Sequence, residues 1–181
     1  MGPRLLKKYR EEVIPAMKEK FNIENSMAVP RLNKIVVNMG VGKAINDVKI
    51  LDSASQDLMM ITGQKPKITK ARIAISNFKL KENAPIGCVV TLRRFRMYEF
   101  LDKLVNITLP RIRDFNGVPR KAFDKQGNYT LGLTEQTIFP EIEIGKIAHP
   151  QGMHISFVFN KGPKDQTMEV LTLMGMPFRK K

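Results

Sequence analysis

PKITKARIAIS (66–76), NFKLKENAP (77–85) and IGCVVTLRR (86–94) follow one another without interruption. The first and third runs are rich in Ile, Val and Thr, which suit a pleated, half-buried backbone. The middle run is polar and closes on Pro85. Two extended segments joined by a short polar loop pair antiparallel. The flanking segments carry helical periodicity instead. Leu5, Leu6, Tyr9, Val13, Met17 and Phe21 recur at helix spacing over 4–21, where Pro15 is expected to bend or interrupt the helix. Residues 31–39, RLNKIVVNM, predict a strand ended by Gly40 and Gly42. Residues 46–62 predict a helix capped by Asn46 or Asp47, striped by Val48, Leu51, Leu58 and Ile61, and stopped by Gly63. A helix is expected over 97–109, turns over 111–134, a strand over 153–160 and a last helix over 164–174. The order predicts an α+β fold: one antiparallel sheet with helices packed on one face and a basic hairpin loop projecting. No composition shift marks a linker, so residues 1–181 are expected to form a single domain.

Charge supplies the functional signal. The chain of 181 residues has 31 Lys and Arg against 17 Asp and Glu, a net charge of +14. Such an excess repels itself in a compact state unless a polyanion screens it, and nucleic acid is the first candidate, an anionic membrane surface the second. Residues 65–99 hold nine cations (Lys65, Lys67, Lys70, Arg72, Lys79, Lys81, Arg93, Arg94 and Arg96) against Glu82 and Glu99. Half of the surplus therefore sits in and beside the hairpin, whereas 131–160 is net acidic. Cations alternating with Ile and Ala over 67–75 are expected to project from one strand face and to neutralise backbone phosphates. Asn38, Gln64, Thr69 and Thr91 lie close enough to meet ribose hydroxyls or base edges. Phe78 has two readings, a base-stacking group at the loop tip or an anchor tucked into the core.

Other chemistries fare worse. Cys88 is the one cysteine, so neither an internal disulfide nor a thiolate zinc cluster can form. Gly40-Val41-Gly42-Lys43 fails as a phosphate-binding loop, because Val37 stands where the first Gly belongs and Ala44 where a magnesium-binding hydroxyl belongs. It fails as a dinucleotide fingerprint at Ile45. It reads either as a strand-to-helix turn or as a place where RNA backbone approaches main-chain amides. His149 and His154 match no zinc frame. Glu141 and Glu143 alternate with Ile142 and Ile144 as two carboxylates on one strand face, open to acid/base work but more ordinary as a solvated edge. The charged N-terminal segment has no apolar core of a signal peptide, and no apolar run approaches membrane-spanning length. An enzyme acting on RNA and a membrane-surface protein remain the rival classes; Glu11, Glu12 and Glu19 weaken the latter.

The motifs KIVVNMGVG (34–42), ITGQKPKITKAR (61–72), FKLKENAPIGCVVTLR (78–93), LPRIRDFNG (109–117) and FPEI (139–142) together resemble the family of bacterial large-subunit ribosomal protein five. That family binds 5S rRNA in the central protuberance, and the likeness covers essentially the whole chain. It implies a structural, non-catalytic protein of the cytoplasmic large subunit that needs no cofactor or metal. On matching positions it implies Asn38, Gln64 and Thr91 as polar contacts to 5S rRNA, with Lys34, Lys67 and Arg93 on phosphates. It implies that the loop at about 75–85, with Phe78, Lys79 and Lys81, reaches the peptidyl-site tRNA. Further implied partners are small-subunit protein thirteen across an intersubunit bridge, expected within 111–146, and neighbouring large-subunit rRNA and proteins.

Overall fold

The computed structural model describes residues 2–45, 47–143, 145 and 149–179. The chain is α+β, with a five-stranded antiparallel sheet in the order β2-β3-β1-β5-β4. The strands are β1 Leu32–Gly40, β2 Lys67–Lys70, β3 Pro85–Leu92, β4 Tyr129–Leu133 and β5 Met153–Phe159. The main helices are α1 Arg4–Lys8, α2 Ile14–Phe21, α3 Val48–Thr62, α4 Arg94–Lys103 and α5 Lys164–Leu173. Backbone contacts divide the residues into two compact units. One comprises 1–35, 92–131 and 156–181, the other 36–91 and 132–155.

In the first unit α1 and α2 are one helical run joined by a π-helical turn, Tyr9–Val13. Pro15 does not interrupt it. A proline clashes with the carbonyl four residues earlier, here that of Glu11, and the wider π turn displaces that group. The same solution recurs ahead of Pro110. There α4 continues into a π turn, Leu104–Thr108, before a 3-10 turn, Leu109–Arg111. The expected helix over 97–109 therefore starts three residues earlier. Its apolar face, Met97, Phe100, Leu101, Leu104 and Val105, is buried as the spacing predicts. An Arg4–Asp102 pair at 2.6 Å ties α1 to α4, and a Lys20–Glu169 pair at 2.7 Å ties α2 to α5. Tyr129 packs among the rings of Phe123, Phe157 and Phe178. The last residues of the turn-rich 111–134 form β4, whose Tyr129, Leu131 and Leu133 are buried.

In the second unit, Asp47 caps α3 by accepting from the Lys49 N–H at 2.9 Å, and Gly63 ends it at φ 65°. Asn46, the other proposed cap, lies outside the described residues. The buried stripe is Leu51, Ala54, Leu58 and Ile61; Val48, expected there, is 53% exposed at the first residue of the helix. The strand expected over 66–76 is four residues long. Its register slips between Thr69 and Lys70, and a bulge there ends regular pairing with β3. Gly40 and Gly42 lead from β1 into a 3-10 turn, Gly42–Ile45, as a strand-to-helix connection. Glu141 and Glu143 lie in a turn after the 3-10 helix Gln136–Ile138, not on a strand, so they share no strand face. Pro140 ahead of them withholds the amide a ladder would need.

Candidate nucleic-acid interface

Side-chain alternation sorts the strands into a buried and an open face. In β1, Ile35, Val37 and Met39 are buried while Lys34, Val36 and Asn38 are half-buried. In β3, Cys88, Val90 and Leu92 are buried while Val89 and Thr91 are half-buried. β2 pairs Lys67 with Val89 and Thr69 with Gly87, so both side chains stand on the face of β3 that carries Thr91. Gln64, in the turn after α3, donates from Nε2 to the Thr91 carbonyl at 3.4 Å. The second unit thus brings Asn38, Gln64, Lys67 and Thr91 into one group. Lys34 and Arg93 belong to the first unit. Arg93 is exposed at the N-cap of α4.

Gly87 makes this close strand packing possible. A Cβ there would stand 2.7 Å from the Met39 carbonyl oxygen and 2.9 Å from Thr69 Oγ1. The middle of the sheet therefore keeps β1, β2 and β3 tight by omitting a side chain. Beneath it, burial pushes the Cys88 thiol up to about 11, with the Asp57 charge adding to the shift, so the sulfur is an inert packing atom.

The loop between β2 and β3 is a small hairpin of its own. Ile75 and Leu80 exchange N–H to carbonyl bonds at 2.9 and 3.1 Å around a 3-10 turn, Ser76–Phe78. Lys79 closes that turn in the left-handed region at φ 52°. Phe78 is 69% exposed, which removes the core-anchor reading. Ile73 and Ile75 are exposed beside it, and Lys79 and Lys81 extend into solvent. Cations do not project along a strand through 67–75, because the ladder ends at Lys70; Arg72 stands on the hairpin arm instead.

Six of the nine cations of 65–99 lie in the second unit and three, Arg93, Arg94 and Arg96, in the first. Among the described residues, none of the nine lies within ion-pair distance of a carboxylate. A positive field uncompensated within the chain is what a polyanion surface requires. Sequence spacing missed a second cationic group. Arg10 and Arg31 line a cleft of the first unit together with Arg93 and Arg94. They come from segments up to 84 positions apart, so no motif announces them. Among the described residues no group of three or more His, Cys, Asp or Glu is placed to hold a metal ion, and no helix is long and apolar enough to cross a membrane.

An open, cationic strand face is the kind of surface an RNA-binding protein presents to phosphates and ribose hydroxyls. The family comparisons agree on which one. Residues 25–81 match the family described as ribosomal protein L5, and residues 85–178 match the ribosomal L5P family C-terminus. Large ribosomal subunit protein uL5 of Clostridium kluyveri is 55% identical over 181 residues, spanning 100% of both chains. The proteins of the same name from Clostridium acetobutylicum and Brevibacillus brevis are each 54% identical, over 98% and 99% of this chain and 99% and 100% of their own. The chain belongs to the ribosomal protein L5 family. Its members are structural ribosomal proteins, not enzymes.

Proposed function

We propose that this chain is a structural component of the large ribosomal subunit in the cytoplasm, where it binds 5S rRNA and helps to attach it in the central protuberance. The observation that carries this reading is the open strand group Asn38, Gln64, Lys67 and Thr91, together with cations that no carboxylate among the described residues neutralises. Folded RNA is recognised through phosphates, ribose hydroxyls and exposed base edges. Asn38, Gln64 and Thr91 supply amide and hydroxyl groups for the second and third; Lys34, Lys67 and Arg93 supply charge for the first. A sheet holds such donors in fixed positions, so little ordering entropy is lost on binding.

The hairpin tip has a separate task. Phe78, Lys79 and Lys81 contact the peptidyl-site tRNA, the lysines through phosphates and Phe78 by presenting an open ring. An exposed part of 111–146 meets small-subunit protein thirteen across the subunit boundary, and other surfaces meet neighbouring large-subunit rRNA and proteins. Chemical footprinting of total ribosomal RNA with the purified protein tests the central claim. Protection confined to 5S rRNA is expected. Protection spread evenly over the larger species would overturn it.

A further inference from the structure

We propose that a cleft in the first unit is a nucleotide-binding site, which takes the phosphate of an unpaired ribonucleotide on arginines and stacks its base on Phe95. The proposal rests on the reading of the chain as an RNA-binding ribosomal protein; the cleft shares Arg93 with the proposed 5S rRNA contacts and adds Arg10, Arg31, Arg94 and Phe95 to them. The cleft has a volume of about 590 Å³. Arg10 enters from the π turn of the first helix, Arg31 from the residue before β1, and Arg93 and Arg94 from the start of α4. No acidic residue lines it, and among the described residues none of the four guanidinium groups has a carboxylate within ion-pair distance. Four like charges around one cavity repel each other until an anion enters, and the planar guanidinium fork suits phosphate oxygens.

Three further observations point the same way. Tyr98 is 4% exposed and lines the cleft, yet its hydroxyl makes no hydrogen bond among the described residues. That hydroxyl is not one of the buried orphan atoms, so it meets solvent in the cleft and is open to an occupant's oxygen. The fields of Arg31 and Arg10 reach Tyr98, opposing the upward shift that burial gives it. Next, α4 begins against its own dipole. Its N-terminal end carries Arg93, Arg94 and Arg96 with no carboxylate in the first turn and no side-chain cap, and Arg94 sits at φ 52°. Cations at a helix N-terminus and a left-handed arginine disfavour the fold alone, and a bound phosphate reverses the first of these penalties. Finally, Phe95 is 59% exposed beside the arginines, and Leu32 and Met97 give the cleft an apolar wall. An aromatic ring beside an arginine cluster is the pairing that holds an unstacked base together with its phosphate. A duplex keeps its bases paired inward and offers this cleft only its backbone.

Fluorescence anisotropy with the full chain tests the site, using labelled decauridylate and a ten-base-pair RNA duplex as probes. Arg10→Gln with Arg31→Gln is expected to weaken decauridylate binding tenfold or more. It also makes the slope of log K against log salt shallower by about 1.4, two single-strand phosphate contacts. Phe95→Ala weakens decauridylate roughly 5- to 150-fold and leaves the duplex unchanged. Phe95→Leu does the same while keeping apolar volume, so it carries the test if the alanine variant folds poorly. Decauridylate affinity within twofold of the parent in the double arginine variant overturns the proposal. So does equal loss of both probes in Phe95→Leu. Lys67→Ala with Lys70→Ala separates the two readings. Loss of 5S rRNA affinity with decauridylate binding retained supports both; unchanged 5S affinity overturns the strand-face reading and leaves the cleft standing.

Discussion

Replacing Gln136 with leucine removes the polar knot that holds the 136–151 segment against α3 and β1. Gln136 is 1% exposed. Its Nε2 donates to the His149 carbonyl at 3.0 Å and to Asp57 Oδ2 at 3.5 Å, and its Oε1 accepts from the Gln151 N–H. Gln151 passes the linkage on, donating from Nε2 to the Gly40 carbonyl at 2.9 Å. Leucine keeps the volume and leaves the Gln151 N–H and the His149 carbonyl unpaired. A fully buried orphan costs about 1–3 kcal/mol, and here His149 is exposed and Gln151 half-buried, so solvent lowers that cost. A neighbouring cavity of about 150 Å³, lined by Ser53, Asp57 and Gln151, admits water that recovers part of this. The net expectation is a loss of about 2–4 kcal/mol, or roughly 4–16 °C in Tm for a chain of this size.

The loss has a pH signature. Burial raises the Asp57 carboxyl above its ordinary value, and the hydrogen bond from Gln136 opposes that rise. The folded state therefore holds the Asp57 proton more tightly than the unfolded chain does. This contribution is favourable below the unfolded carboxylate value of about 3.9, and fades as pH rises through the raised folded value. Without Gln136 the folded value rises further, so the variant loses more on the way to neutral pH. Urea unfolding at pH 7 and at about pH 3.5 should show the larger deficit at pH 7, with an unchanged denaturant slope. A deficit below about 0.5 kcal/mol at pH 7, or one that grows toward acid, would show that Gln136 does not anchor this segment through Asp57.

Other perturbations test the strand face and its hairpin. Gly87→Ala forces a Cβ to within 2.7 Å of the Met39 carbonyl oxygen, and should cost about 1–3 kcal/mol in urea unfolding, since backbone must move to admit it. Cys88, buried with its thiol raised to about 11, should ignore a thiol reagent at pH 8 until the protein is unfolded; rapid labelling of the native chain would contradict the packing. Three phosphate contacts by Lys34, Lys67 and Arg93 imply that log K for 5S rRNA falls linearly with log salt, contributing a slope of roughly −2 to −3; a flat profile would assign binding to stacking. Lys79→Ala with Lys81→Ala should weaken tRNA contact and spare 5S rRNA, as measured by anisotropy on each RNA; equal loss of both would reject the division of labour between hairpin tip and strand face.

Much of this was written locally. Apolar periodicity announced α3, α5, β1 and β5, because a buried stripe repeats every three to four residues on a helix and every second residue on a strand. Asp47 and Gly63 marked the ends of α3 through their own backbone preferences. The strand and turn positions of Asn38, Gln64, Lys67 and Thr91 were likewise legible, since the alternation of the strands beside them could be read. Errors arose where pairing overrides propensity. The run 71–76 has strand composition, but a bulge after Thr69 and the hairpin's own bonds take its backbone elsewhere. Pro15 suggested a bend or break in the first helix, but it is absorbed by a π turn whose wider bore is invisible in the local residue pattern.

The chain's charge, its α+β order and its affinity class were properties of neighbours in sequence, because net charge is additive and amphipathic periodicity is local. Assembly of Arg10, Arg31, Arg93 and Arg94 around one cleft depended on packing α1 and β1 beside α4. The same holds for the knot of Asp57, Gln136 and Gln151. Such groupings depend on which buried faces fit together. That complementarity is a property of side chains distant in sequence, so no window of residues encodes it.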